Sequence, residues 1–460
     1  MSTHEAGISG ELRRFLRGGV SLEEHKEATA QTPITTFIPA EVTIPLAQHL
    51  GPPAQAIVKR KQVVQRGELI ATAEPNGAPV HASVTGTVAR VALSPHPTLT
   101  EAPAIVITVD PNAAAPQCTD DPAWATLPRD VMLARIEAAG IVGLGGAAFP
   151  TYRKLRLPDG VRVDTVVLNG AECEPYLTSD HRLMLESPKD VLRGAWLLAQ
   201  IIGAQRVVIG VEDNKSDAAV VLQAAVEQLS LSPAPDVLLC RTRYPQGAER
   251  QLVEALTGRR IPARGLPLQV GVLVQNVATA IACYQAVRYQ QPLLDRVLTV
   301  TGPGIGHPMN LRVPIGTLVQ DIVAHCGGLD ARTAMVIAGG PMMGRALGRL
   351  DVPVIKGTGG LLFLRVDDVQ REPYGPCISC AACLDACPLG LEPNQISIYT
   401  EAGRALETES FGTRECFECG CCAYVCPAER PLVQFIQIAK AAFQTGSAIG
   451  LGVRPGVVHG

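Results

Sequence analysis

CFECGCCAYVCP, residues 416–427, carries five cysteines: Cys416, Cys419, Cys421, Cys422 and Cys426. Laid over CISCAACLDACP, residues 377–388, four of them align with Cys377, Cys380, Cys383 and Cys387, and Cys421 falls on Ala382. The shared pattern is C-x2-C-x2-C-x3-C-P, written twice. Nine of the 14 cysteines lie between 377 and 426, and clustered thiols serve metals more often than disulfides.

The spacing is that of the bacterial ferredoxin run, in which three close cysteines wrap one cubane and the fourth, before proline, reaches the other. It predicts one [4Fe-4S] cluster on Cys377, Cys380, Cys383 and Cys426, and a second on Cys416, Cys419, Cys422 and Cys387. Cys421 is then a bystander. Two rivals exist, paired four-cysteine zinc sites and a disulfide framework. Zinc sites pair two C-x2-C knuckles rather than running three cysteines at three-residue steps and ending twice in Cys-Pro. Between the motifs, Ile396, Tyr399, Ala402 and Leu406 recur at helical spacing, which predicts a helical two-cluster module over 369–440. Clusters move electrons singly, so the chain should have an electron donor and an acceptor.

The rest of the 460 residues is too long for one core, and roughly one domain per 100–200 residues predicts about three or four modules. Lysine plus arginine total 40 against 43 acidic residues with no basic concentration, which argues against nucleic acid as a partner. The most apolar stretch, GAWLLAQIIGAQRVVIGV, is broken by Gln200, Gln205 and Arg206, so no membrane span is expected. MSTHEAGISGELRRFLRGG has no apolar secretory core, and a reducing compartment is expected.

Upstream of the cysteines the pattern changes three times. After an N-terminal arm (1–30), residues 31–117 read as short β segments with Gly/Pro turns, and VHASVTGTVARV resembles half of a biotinyl/lipoyl-type barrel-sandwich. Such carriers need a lysine on the hairpin turn; none occurs from Gln62 to Asp110, leaving a structural or docking barrel. Over 118–292 strands alternate with helices, predicting a parallel α/β sheet covered on both faces. Its clearest helix, SPKDVLRGAWLLAQIIG, repeats Val191, Ala195, Leu198 and Ile202, with Ser187 as N-cap, Pro188 at N1 and Asp190 in capping-box position. Residues 293–368 form a small mixed module, and 441–460 a Gly-rich tail expected to be poorly ordered.

One loop in the α/β region, GIVGLGGAAFPTYRKL (140–155), could bring backbone N–H groups close to a phosphate, with Lys154 adding charge. Alone it is a weak signal, because the full dinucleotide fingerprint is missing. Together with LNGAECEP (168–175), YPQGAERQLVEALTGRR (244–260) and VQNVATA (274–280), it resembles the FMN- and NADH-binding subunit of respiratory complex I. VPIGTLVQDIVAHCGG resembles the β-grasp (SLBB-like) domain that follows there. With GGVSLEEHKEAT (18–29), the leading barrel and the double cysteine motif, the chain over about 15–440 resembles the RnfC family of Rnf ion-translocating electron-transport complexes.

That resemblance implies FMN held by Gly143, Gly145, Gly146, Lys154, Asn169, Glu172, Gly247, Glu249, Asn276 and Thr279, with Phe149 and Glu174 at the NADH entrance. No protein side chain is implied as acid or base, since the protein's tasks are to hold the nicotinamide against the flavin and set potentials. It implies a peripheral subunit, docked on membrane partners at the cytoplasmic face of the bacterial inner membrane, exchanging electrons between NAD(H) and a ferredoxin-like carrier. The chain departs from the complex I pattern at Ala171, where that family has aspartate, and at Ala248, in place of paired acids. A soluble flavin/iron–sulfur reductase such as a cobalamin reductase has related modules, but there the barrel follows the clusters. A scaffold retaining only the clusters is a third reading. Cys118, Cys173, Cys240, Cys283 and Cys326 read as small buried hydrophobes, His25 and His81 as turn or packing residues, and Trp196 as core.

Overall fold

The computed structural model describes residues 12–114, 119–369 and 373–445. Cys118 and residues 446–460 of the expected tail lie outside them. Residues 441–445 are not tail: they complete the helix Leu432–Thr445, with Ala442 buried in the core of the cysteine module.

The arm runs along the edge of the α/β domain. Arg13 bridges Cys240 and Val20 bridges Tyr244, and Phe15 is buried. The barrel-sandwich consists of a four-stranded sheet (Glu41–Pro45, Glu101–Val109, Gly86–Pro95, Val63–Val64) facing a three-stranded one (Gln55–Ala56, Leu69–Thr72, Val80–His81). Alternating residues such as Val42, Ile44, Ile105 and Ile107 point into the shared core. Thr35–Thr36, expected in the barrel, instead pair in parallel with Met309–Pro314 of the β-grasp sheet.

The α/β domain has four parallel strands in the order Asp236–Cys240, Arg206–Glu212, Thr165–Gly170, Val272–Asn276. The chain winds one way from Thr165–Gly170 through the first three and then returns to the opposite side of that first strand. The reversal opens a crevice at the carboxyl ends of Thr165–Gly170 and Val272–Asn276, the usual ligand position in open α/β sheets. Val272–Asn276 was not apparent from sequence, because VLVQN is short and runs directly into the helix Val277–Tyr289.

Pro188–Ile202 is the helix expected, with Val191, Ala195, Leu198 and Ile202 buried. Ser187 occupies the cap position, but its side chain makes no capping bond; the preceding helix Ser179–Glu186 ends on the same residue, which is held there by its own N–H to the Leu183 carbonyl. Trp196 sits at the rim, donating to the Ser232 carbonyl at 2.9 Å and meeting Trp124 edge-on.

The β-grasp sheet has the order Thr35–Thr36, Met309–Pro314, Asp295–Thr301, Gly360–Arg365, Thr333–Ala338, Arg345–Ala346, with the helix Val319–His325 packed on it. Gly360–Arg365, also unread in the sequence, is interior to this sheet. In the cysteine module the helix Pro393–Glu401 buries Ile396, but the expected stripe ends at Gly403 (φ +75°); Ala402 and Leu406 are exposed, and Ala405 and Thr408 turn inward instead. A left-handed glycine ends the helix and rotates the following turn.

Two measurements follow from this packing. A methyl group on Gly194 would overlap the Ala280 carbonyl of the facing helix, so Gly194→Ala should cost about 1–3 kcal/mol and lower the thermal midpoint. Lys356 is fully buried, its Nζ donating to Pro79 O (2.9 Å) and Gly140 O (2.8 Å), and burial pushes it down from 10.5 to about 7. Between these values the unfolded chain holds a proton that the folded chain has released, so stability rises with pH. Denaturation at pH 8 and 9 should show wild type gaining on Lys356→Met by up to about 1.4 kcal/mol per pH unit.

Candidate functional site

The eight aligned cysteines divide between two hollows. Cys377, Cys380, Cys383 and Cys426 line the first, with Ile378, Asn394 and Arg430. Cys387, Cys416, Cys419 and Cys422 line the second, with Leu391, Ile396 and Ile436. Each run therefore sends its Cys-Pro cysteine to the other's hollow, the arrangement the spacing predicts. Among the described residues no three histidine, cysteine or carboxylate side chains close around a single metal ion. Four thiols around each hollow fit a [4Fe-4S] cubane, which takes one cysteine at each iron.

Cys421 also borders the second hollow and is fully buried. Its thiol hydrogen-bonds Cys419, which holds Cys419 down while raising Cys421 itself. Cys421 belongs to an apolar cluster with Val20, Tyr244, Ala386 and Cys419, against which Cys173 and Met342 pack. This cluster is the seam with the α/β domain. The Tyr244 hydroxyl donates to Cys419 O at 2.8 Å, and Gly19 N–H to Ala386 O at 2.9 Å. Gly18, at φ +64°, lies so close to the Cys387 carbonyl that no side chain fits. Both hollows are lined by residues of the cysteine module alone; beside the first, Cys380 is exposed and Ile378 is 63% exposed.

The residues proposed for the flavin gather at the crevice of the parallel sheet. Asn169 and Asn276 are register partners at the strand ends. Asn276 caps the helix Val277–Tyr289 through Ala278 and Thr279 N–H, and its amide donates to Asp180 at 2.5 Å. The glycine loop is tied to this helix by Leu144 N–H to Thr279 Oγ1 at 2.9 Å, and Gly145 packs against Asn276. Gly145 and Gly146 are exposed, and the space beside Gly146 is open. Asn169 donates to Gly247 O at 2.8 Å, bringing in the 244–249 loop. Lys154 and Glu249 pair with each other at 2.5 Å. Glu172 accepts from Ser179 Oγ, Asp180 N and His181 N, closing the N-terminus of Ser179–Glu186. An exposed glycine loop over a helix N-terminus at the switch point fits a flavin phosphate.

The two residues offered for the NADH entrance differ. Phe149 lies beneath the Arg153 guanidinium, 5.3 Å from its ring centre, and is half-buried. Glu174 accepts from Met342 N (3.1 Å) and Met343 N (2.8 Å) of the β-grasp domain, and burial pushes it up to about 7. Its carboxylate thus holds a domain junction. Ala171 is fully buried, leaving a carboxylate at that position nowhere to be solvated. Cys173 accepts from Gly247 N–H at 3.3 Å, and its thiol is raised by burial. His25 stacks on Tyr176, and burial then the neighbouring Lys356 push buried His81 down to about 3.

Four residues of this region were not identified from sequence. Lys26, in GGVSLEEHKEAT, is buried with its ammonium on the carbonyls of Glu172, Glu174 and Leu177 (2.5–3.0 Å), fixing the loop after Asn169. Asp180 is pushed up to about 7, first by burial and then by Glu172. Tyr244 closes the seam to Cys419. Arg296, the one charge inside the apolar run RVLTV, is buried and reaches Leu144 O at 3.2 Å; a charge in an interior strand was the available signal.

The same modules recur in known families. The chain matches the RnfC barrel sandwich hybrid domain over 14–112, the Nuo51 FMN-binding domain over 136–285, the SLBB domain over 297–346 and the 4Fe-4S dicluster domain over 376–429. It is 41% identical over 437 residues, 94% of each chain, to the C-type subunit of the proton-translocating ferredoxin:NAD(+) oxidoreductase complex of Clostridium ljungdahlii. It is 40% identical over 434 residues to the Na(+)-translocating counterpart of Acetobacterium woodii, covering 92% of this chain and 96% of that one. The corresponding subunit of the ion-translocating oxidoreductase complex of Rhodobacter capsulatus is 40% identical over 436 residues, covering 92% and 82%. A chain of the NAD+-reducing [NiFe]-hydrogenase in its H2-reduced state shares the fold, with a TM-score of 0.51, 18% identity and coverage of 70% of this chain and 68% of that one. With near-complete coverage of relatives at this identity, the chain belongs to the RnfC family of ion-translocating oxidoreductase complexes.

Proposed function

We propose that this chain is the NAD(H)-side electron-transfer subunit of an Rnf-type complex, exchanging electrons between NAD(H) and a ferredoxin-type carrier. Its cofactors are FMN and two [4Fe-4S] clusters. The observation that carries the reading is the crosswise division of eight cysteines between two hollows, the second seated against the flavin-binding domain. Bound flavin supplies the conversion between two-electron hydride exchange and single-electron exchange.

The residues of the chain hold and orient. Cys387, Cys416, Cys419 and Cys422 would hold the cluster nearer the flavin; Cys377, Cys380, Cys383 and Cys426 would hold the outer one. Gly143, Gly145, Gly146, Asn169, Asn276 and Thr279 shape the crevice for the flavin, and Glu172 keeps the adjoining helix in place. Lys154 and Glu249 form its rim. Among the described residues no helix is long and apolar enough to cross a membrane. The subunit is peripheral, held by other members of the complex, and its use of NAD(H) and ferredoxin puts it at the cytoplasmic face of the bacterial inner membrane.

Iron analysis and EPR of the anaerobically purified chain test the ligand sets. Cys421→Ala should keep the full iron content, whereas Cys426→Ser and Cys387→Ser should each lose about half of it. The order of the hollows is tested by NADH titration. Cys387→Ser should leave the outer cluster present but no longer reduced by NADH, and Cys426→Ser should leave the inner cluster reducible. The opposite pattern would reverse the assignment, and a wild-type chain that binds no flavin would remove the reading altogether.

A further inference from the structure

We propose that Arg296, carried in by the β-grasp domain, is a positioning residue for the flavin phosphate, acting by aiming the Gly145 N–H out of the glycine loop; the proposal rests on the flavin reading above. Arg296 lies in the strand Asp295–Thr301 and is 3% exposed. Its Nε donates to Thr358 O at 2.8 Å within its own domain, and its Nη2 to Leu144 O at 3.2 Å across the domain boundary.

The Leu144–Gly145 peptide is trans, so its C=O and N–H point in opposite directions. A carbonyl held inward by a buried guanidinium therefore turns the Gly145 N–H outward. On that side Gly145, Gly146 and Ala147 are exposed, and a side chain built on Gly146 would meet nothing within 4 Å. The loop is fixed from its other side as well, because Leu144 N–H goes to Thr279 and Gly143 N–H to Phe149 O at 2.8 Å. A cation on the carbonyl also polarises the peptide, making the opposite N–H a stronger donor to an anion.

Charge bookkeeping points to the same residue. Lys154, the lysine offered by the sequence as the phosphate's cation, is already paired with Glu249. Glu172 is occupied by three donors on the neighbouring helix. Among the described residues no carboxylate forms an ion pair with Arg296; Asp180 reaches it only through its longer-range field, and burial lowers the guanidinium only to about 10, so it stays cationic at neutral pH. A buried cation without a counter-ion is costly, and an anion bound across the loop would offset that cost.

The test compares FMN with riboflavin, which has the same ring and no phosphate, on the flavin-stripped full-length chain by fluorescence titration. The readout is the ratio of the two dissociation constants. Arg296→Gln should weaken FMN binding about tenfold or more, the scale of one lost charge-assisted hydrogen bond, while riboflavin binding stays near the wild-type value. Arg296→Lys should restore most of the preference. Equal weakening of both ligands would make Arg296 merely structural and overturn the proposal, as would loss of the preference in Lys154→Gln but not in Arg296→Gln. Should Arg296→Gln not fold, Arg296→Lys decides: a preference within about threefold of wild type supports the proposal, and its collapse overturns it. Wild-type chain that binds neither flavin refutes the flavin reading itself, a result distinct from these.

Discussion

Three basic side chains are buried in this molecule with no ion-pair partner among the described residues, and the arrangement of its modules depends on what receives their N–H donors. Lys26 of the arm, Arg296 of the β-grasp sheet and Lys356 beyond it, the last losing its charge above about pH 7, each aim their donors at backbone carbonyls of another module. Removing a charge from water costs several kcal/mol unless fixed dipoles replace the water. Each side chain can therefore be buried only while the neighbouring loop is in place. That requirement holds the arm, the barrel and the β-grasp domain to the flavin-binding domain more specifically than apolar contact could.

The loops whose carbonyls are recruited are those around the crevice: Gly140 and Leu144 flank the start of the glycine loop, and Glu172, Glu174 and Leu177 belong to the loop after Asn169. The same loop carries Glu174, whose carboxylate grips Met342 and Met343 N–H, and Met342 lies against Gly420 of the cysteine module. Hydrogen bonds from the crevice to Met342, and close packing of Met342 on Gly420, thus run without a break to the second hollow. Electron exchange between two bound groups requires that their separation be held constant, and here it is held by buried hydrogen bonds whose loss would strand charges.

The polar side chains of the crevice are already engaged within the protein. Asn276 caps a helix and restrains Asp180; Thr279 accepts from the glycine loop; Glu172 closes the N-terminus of Ser179–Glu186. Groups satisfied before a ligand arrives need little reorganisation when it binds. This preorganisation comes from local sequence: a cap asparagine directly after VLVQ, and glycines where a side chain would block the approach.

Sequence alone determined the thiol chemistry and the order of modules. The doubled cysteine spacing specified which run lends its last cysteine to the other, and Val191, Ala195, Leu198 and Ile202 specified a buried helix, because both signals are local and periodic. It also exposed the missing carrier lysine of the barrel. It put Thr35–Thr36 in the wrong sheet and left Gly360–Arg365 and Val272–Asn276 unread, strands whose character comes from pairing with residues far away in the chain. Glu174, read as an acid at the NADH entrance, also accepts from the Met342 and Met343 N–H groups of another module, and Lys26 and Arg296 went unread. A buried charge is intelligible only once its acceptors are known, and those acceptors are backbone carbonyls, which every residue has and no sequence pattern marks.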